Sequence, residues 1–248
     1  MIQGLLALAG LALLVPPAAV VPLQDAKPKA AAPKKAVPKK GKHAPPKPKA
    51  AVAKPDAPRL QPSAATLRVH DWVSSAGDNH GLPYLIVDKP NAALFLFDAH
   101  GKQLAAVPVL IGIAPGDDAT PGIGAKQLSE IGPAEKTTPA GRFLAKFGLA
   151  VGKERVLWVD YYTSVALHPV PEGAAARKEK RRERLASPTP DDNRITFGCI
   201  NVPSAFYAKL LSPMYRKKGG YVYVLPDSKP IEDVFPALHV QTAARSAS

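Results

Sequence analysis

A single cysteine, two methionines and two tryptophans are spread over 248 residues. One cysteine excludes a disulfide within the chain. Cys199 is therefore an intermolecular bridge, an idle buried thiol or a reactive one. No Cys/His spacing fits a zinc site, so neither a metal nor another cofactor is expected. Acidic residues are also scarce, 20 Asp and Glu against 33 Lys and Arg, giving a formal charge of +13. Ten lysines and one arginine against Asp56 alone put +10 of that charge between Lys27 and Arg59. The remainder is only mildly basic. The basic segment contains no aromatic side chain to stack on bases, so nucleic acid is not an expected partner. Long apolar runs are missing too: Leu5 to Val15 is too short to span a bilayer, and Pro16 and Pro17 interrupt it.

Composition divides the chain into four segments. Residues 1–26 are expected to be a signal peptide or N-terminal anchor, although no Lys or Arg precedes the apolar run and no clean A-x-A site follows it. This predicts export to the periplasm or cell envelope. Residues 27–60, with repeated Lys-Pro and Ala-Lys themes, cannot pack a core and are expected to form a disordered linker weakly attracted to anionic envelope polymers. Residues 61–236 make one domain of ordinary size, and 237–248 a flexible tail.

Within the domain, short apolar runs bounded by turn residues predict a mostly β fold with a few short helices. Tyr84–Val87, Ala93–Phe97 and Leu104–Ile111 are spaced as an antiparallel meander, with Pro108 placing the third strand at an edge. Residues 112–141, rich in Gly, Pro, Asp and Thr, form a long loop, a length that usually serves function. Val156 to Leu167 is expected to run as one strand into His168. A short helix should open at Pro203 or Ser204, and Tyr221–Leu225 should be the closing strand.

Cys199 follows a glycine and is flanked by Ile195 and Ile200. A thiol needs a base to act as a nucleophile at neutral pH, and His168 at the end of an apolar run is the natural candidate. The other histidines (His43, His70, His80, His100 and His239) fall in linker, turn or terminal contexts and are expected to be solvated. Arg194 and Asn201 are candidates to bind substrate carboxylates or to brace the histidine. Tyr161 or Tyr162 is expected to line a groove, with the other turned into the core.

Thr196-Phe197-Gly198-Cys199-Ile200-Asn201 resembles the Ser/Thr-His-Gly-Cys-hydrophobic-Asn/Arg signature of the L,D-transpeptidase catalytic (YkuD-like) domain. Thr138-Pro139-Ala140-Gly141-Arg142-Phe143 resembles that family's Thr-Pro-x-Gly-x-Phe turn. The resemblance covers roughly residues 83–226. It implies a β-sandwich-like domain acting on peptidoglycan stem peptides, with an envelope protein as a further acceptor. It also implies Cys199 as nucleophile, His168 as base, and the Pro169 carbonyl as the group orienting the histidine. The N–H groups of Gly198 and Cys199 would then stabilise the oxyanion, and Arg194, Thr196, Asn201 and Tyr162 would bind substrate. Two departures stand out. Phe197 replaces a frequent second histidine, and a basic insert from about Pro171 to Asp192 lengthens the gap between His168 and Cys199. That insert is either a solvated excursion or a lid attracting carboxylates. A hydrolase using water as acceptor on the same fold, and a catalytically idle wall-binding protein, are the alternatives.

Deleting Lys27 to Pro58 should leave the melting temperature of the domain unchanged, because a solvated linker adds nothing to a core. A drop of several degrees in a thermal scan would contradict this.

Overall fold

The computed structural model describes residues 60–150 and 154–239. The expected export segment 1–26, the linker short of Leu60 and the tail from residue 240 lie outside those residues. Leu238, placed in the tail by sequence, is fully buried, so the packed domain extends past residue 236.

The first described element is a helix, which the sequence marks by its cap residues and its apolar periodicity. α1 (Ala64–Ala76) is capped by Ser63, whose hydroxyl accepts from the Thr66 N–H, and ends at Gly77 in the left-handed region (φ 65°). Val69, Trp72 and Val73 recur at helical spacing and are buried.

The fold is mostly β. β1 (Tyr84–Asp88), β2 (Ala93–Phe97) and β3 (Gln103–Pro108) form the antiparallel meander, with β3 and its proline at the sheet edge as expected. The chain then passes through β4 (Ile111–Gly112), three short 3₁₀ turns and β5 (Gly141–Leu149). β6 (Arg155–Asp160), β7 (Val165–Pro169), β8 (Arg194–Thr196), β9 (Ile200–Val202) and β10 (Gly220–Val224) complete the strands. Eight of them make one mixed sheet in the order β3-β2-β1-β10-β5-β6-β7-β9, and β4 pairs with β8. β10 is the last strand in sequence but lies mid-sheet, parallel to β1 and antiparallel to β5.

Alternation along the central strands feeds two cores, one on each face. Tyr84, Ile86, Phe95, Phe97, Tyr221 and Tyr223 pack under α1 with Trp72, Phe235 and Leu238. Leu85, Val87, Leu94, Leu96, Val222 and Val224 share the opposite core with Leu167, Ile200 and Val202 from the far end of the sheet. Strands at opposite ends can share a core only if the sheet curls, which gives the β-sandwich-like form. The seam is closed by Leu110 and Asn201, whose backbones exchange hydrogen bonds of 2.9 and 2.8 Å. The helical run after β9, α4 (Ser204–Phe206), a π-helical stretch (Tyr207–Leu211) and α5 (Ser212–Tyr215), packs Phe206, Tyr207, Leu211 and Tyr215 onto the second core.

The single strand expected from Val156 to Leu167 is instead a hairpin. The Asp160 carboxylate accepts from the Tyr162 N–H (3.0 Å) and the Thr163 hydroxyl (2.6 Å), which turns the chain, and Ser164 takes a left-handed conformation (φ 57°). His70 also departs from expectation: it stacks on Phe97 with ring centroids 4.6 Å apart, and its Nδ1 lies 2.8 Å from the Tyr84 hydroxyl.

Lys89, at the turn between β1 and β2, has a fully buried side chain. Its ammonium donates to the Gly116 carbonyl (2.6 Å), Asp117 (2.9 Å) and the Thr138 carbonyl (2.9 Å), with Asp227 at 3.3 Å. Burial by itself would raise the Asp117 pKa. The N–H groups of Asp227, Lys229 and Ser228, together with Lys89, hold it well below the ordinary carboxylate range instead. Lys89→Met should therefore cost about 3–5 kcal/mol in urea unfolding at pH 7, since two carboxylates lose their buried counter-charge. Because the folded-state pKa of Asp117 is depressed, its stabilisation is complete above about pH 4 and declines as the pH falls below that. The difference between wild type and variant should thus narrow in acid, and a difference independent of pH would contradict the assignment.

Candidate active site

The chain around Cys199 is shaped by hydroxyl groups and one glycine. Gly198 has φ 123°, and a Cβ there would sit 2.7 Å from the Thr137 carbonyl oxygen. Only glycine allows this approach of two backbones. The Thr138 hydroxyl donates to the Gly198 carbonyl (2.8 Å) and accepts from the Gly112 N–H (2.9 Å), tying the Thr-Pro-x-Gly turn to the cysteine loop. Thr196 is 2% exposed. Its hydroxyl donates to the Cys199 carbonyl (2.6 Å) and accepts from the Gly198 N–H (3.2 Å), so it braces the turn rather than facing a ligand. The Gly198 N–H, expected to face an oxyanion, is thus committed to Thr196, which leaves only the Cys199 N–H of the two expected donors.

Cys199 stands half-buried immediately before β9. β9 runs parallel to β7, with His168 level with Asn201. Cys199 thus lies two residues upstream of that level, about 6.6 Å along the strand. The thiol donates to the Ser164 carbonyl (3.8 Å), and no hydrogen bond links it to His168. The Nδ1 of His168 is 2.9 Å from the Pro169 carbonyl oxygen, and its Nε2 is 3.1 Å from the Asn201 side-chain nitrogen.

Burial dominates the electrostatics. It pushes the Cys199 thiol above its ordinary pKa against the opposing pull of the Ala166 N–H and the charge of Arg181. It pushes His168 below its ordinary value. The Pro169 carbonyl opposes that shift, Arg181 adds to it, and Glu154 opposes it. Both shifts favour a neutral thiol and a neutral imidazole.

Other expected residues lie elsewhere. Arg194 donates to Asp227 at 2.6 Å, which places it in the ion cluster around Lys89 rather than as a free cation. Tyr161 and Tyr162 are 71% and 91% exposed, so neither enters the core, because the turn at Asp160 ends the strand alternation. Phe197 is partly exposed, with the Lys136 ammonium 3.8 Å from its ring centre. A groove of about 710 Å³ is lined by Glu154, Arg155, His168, Pro169, Ser204 and Tyr207, among others, but not by Cys199.

No known protein family matches the chain, and no curated protein matches it. Among solved structures the chain is similar to the crystal structure of an L,D-transpeptidase from Xylanimonas cellulosilytica, with a TM-score of 0.34 and 14% identity. The match covers 58% of this chain and 60% of that one, less than two thirds of its length.

Thr138→Val should cost about 1–3 kcal/mol in thermal or urea unfolding, since it strands the buried Gly112 N–H and Gly198 carbonyl. The loosened turn should also make Cys199 react faster with a thiol reagent in the native state. Unchanged stability and labelling would remove Thr138 from the support of the site.

Proposed function

We propose that this chain is a cysteine-dependent peptidoglycan L,D-transpeptidase that works in the periplasm or cell envelope. The observation that carries the reading is the placement of Cys199. It sits on a glycine-dependent turn at the sheet seam, and His168 stands on the adjoining strand with Nδ1 engaged by a backbone carbonyl. The sequence motifs around Cys199 and Thr138 supply the substrate class.

In this mechanism Cys199 Sγ attacks the carbonyl between the third residue of a stem tetrapeptide and its terminal D-Ala. His168 Nε2 takes the thiol proton and passes it to the departing amine of D-Ala, leaving a thioester. The resting pair is neutral, so proton transfer accompanies attack instead of preceding it. The Cys199 N–H stabilises the oxyanion. An amine of a neighbouring stem, or of an envelope protein, then attacks the thioester. It loses a proton through His168, and the thiol is restored as the cross-link forms. The thioester conserves the energy of the broken amide, so no nucleotide is consumed.

Cys199→Ser should keep the fold and abolish muropeptide dimer formation, because a serine hydroxyl is far less acidic and less nucleophilic than the thiol. Intact mass and chromatography of tetrapeptide muropeptides check both points. Release of D-Ala without dimers by the wild type would assign a carboxypeptidase. Dimers formed by the serine variant at a comparable rate would overturn the mechanism.

A further inference from the structure

The insert between His168 and Cys199 is neither wholly solvated nor simply a cover, because one of its arginines turns inward. α2 (Ala174–Lys178) and α3 (Arg181–Ala186) are joined through Lys180 in a left-handed conformation (φ 52°). Leu185 anchors the insert beside Leu110 and Val170. Arg181 opens α3 with a side chain only 13% exposed. Its Nε donates to Glu179 (2.6 Å), and its Nη1 donates to the Asn201 side-chain oxygen (2.9 Å).

These contacts extend the chain of bonds at His168 and settle its direction. A guanidinium only donates and a carbonyl oxygen only accepts. Arg181 therefore requires the Asn201 oxygen, which turns the Asn201 NH₂ toward His168 Nε2. His168 must accept there, so its proton lies on Nδ1, where it donates to the Pro169 carbonyl. Both ends of the chain demand the same tautomer.

We propose that Arg181 is a positioning residue that clamps His168, through Asn201, in its neutral Nδ1–H form and sets the cost of protonating Nε2. The role as a control on catalysis rests on the reading of His168 as the base. A proton placed on Nε2 would face the Asn201 NH₂, two donors together. Flipping the amide would only move that conflict to Arg181. Proton uptake by His168 therefore requires Arg181 to release Asn201. An anionic group that draws off the guanidinium, such as a carboxylate on the substrate, would relieve the clamp.

The charged and titratable groups around the imidazole are few. Arg181 from α3 opposes its protonation, Glu154 before β6 favours it, and Cys199 lies before β9. Arg155 and Glu172 line the same groove, and Glu179 acts through Arg181. Arg181 is thus the cation directly bonded into the network.

The test is the NMR titration of the His168 imidazole in the full chain, compared among wild type, Arg181→Gln and Arg181→Lys. Loss of the charge and freedom of the Asn201 amide should raise the His168 pKa in Arg181→Gln by about one unit, a tenfold gain in proton affinity. The lysine variant, still a cation that only donates, should stay near wild type. An unshifted titration in folded Arg181→Gln overturns the proposal. If that variant does not fold, Arg181→Met serves in its place, and failure of both to fold also overturns it, making Arg181 a structural residue. Muropeptide dimer formation is scored separately. A shifted titration without any cross-linking by the wild type keeps the clamp and rejects the transpeptidase, whereas cross-linking with no shift does the reverse.

Discussion

The ammonium of Lys89 has no access to water, and much of the site depends on how it is satisfied. A buried lysine is costly unless each proton finds an acceptor and a counter-charge lies close. Here the acceptors come from three separate stretches: the loop after β4, the Thr138 turn, and the segment after β10. Asp117 fastens that last segment by accepting from three consecutive N–H groups, of Asp227, Ser228 and Lys229. Arg194, which leads into β8, joins the cluster through Asp227. One buried charge therefore gathers the long loop and the approach to Cys199 at a single point.

From that point the constraints pass by contact to the thiol. The Thr138 carbonyl receives Lys89, while its hydroxyl holds the Gly198 carbonyl and the Gly112 N–H. The turn at Gly198 brings the backbone against Thr137 so closely that no side chain fits. On the other side Leu110 closes the curled sheet onto Asn201, and the level pairing of His168 and Asn201 follows from the parallel register of β7 and β9. The site is thus a product of sheet closure, with its residues on strand ends and a braced turn rather than on free loops.

The electrostatics of the resting site follow from its burial. Taking a thiol and an imidazole out of water disfavours both ions, and the bond between Asn201 and Nε2 occupies the lone pair that would receive the proton. A thiolate well below the ordinary cysteine pKa, the usual expectation for a Cys/His pair, does not describe this arrangement. A neutral pair protects a lone cysteine from oxidants, which attack the thiolate.

The meander and its proline-bearing edge, the closing strand, and the helix after β9 were legible in the sequence because each rests on local alternation or a local turn signal. Cys199, His168 and Gly198 stand out in the sequence for a similar reason: a lone thiol, a histidine at a strand end and a glycine before the cysteine are recognisable without coordinates. The hairpin at Asp160 was missed because an apolar run conceals a turn made by one carboxylate. α1 was missed although Ser63, Gly77 and the spacing of Val69, Trp72 and Val73 marked it. Nothing local distinguishes Lys89 from a solvated lysine, Arg194 from a substrate-binding cation, or Arg181 from its basic neighbours. Their roles depend on partners 28, 33 and 20 residues away in sequence. Which side chains can ionise, donate or attack is written in the chain alone. Curling of the sheet decided which of those charges lose their water, and a charge without water must take whatever partner the fold places beside it.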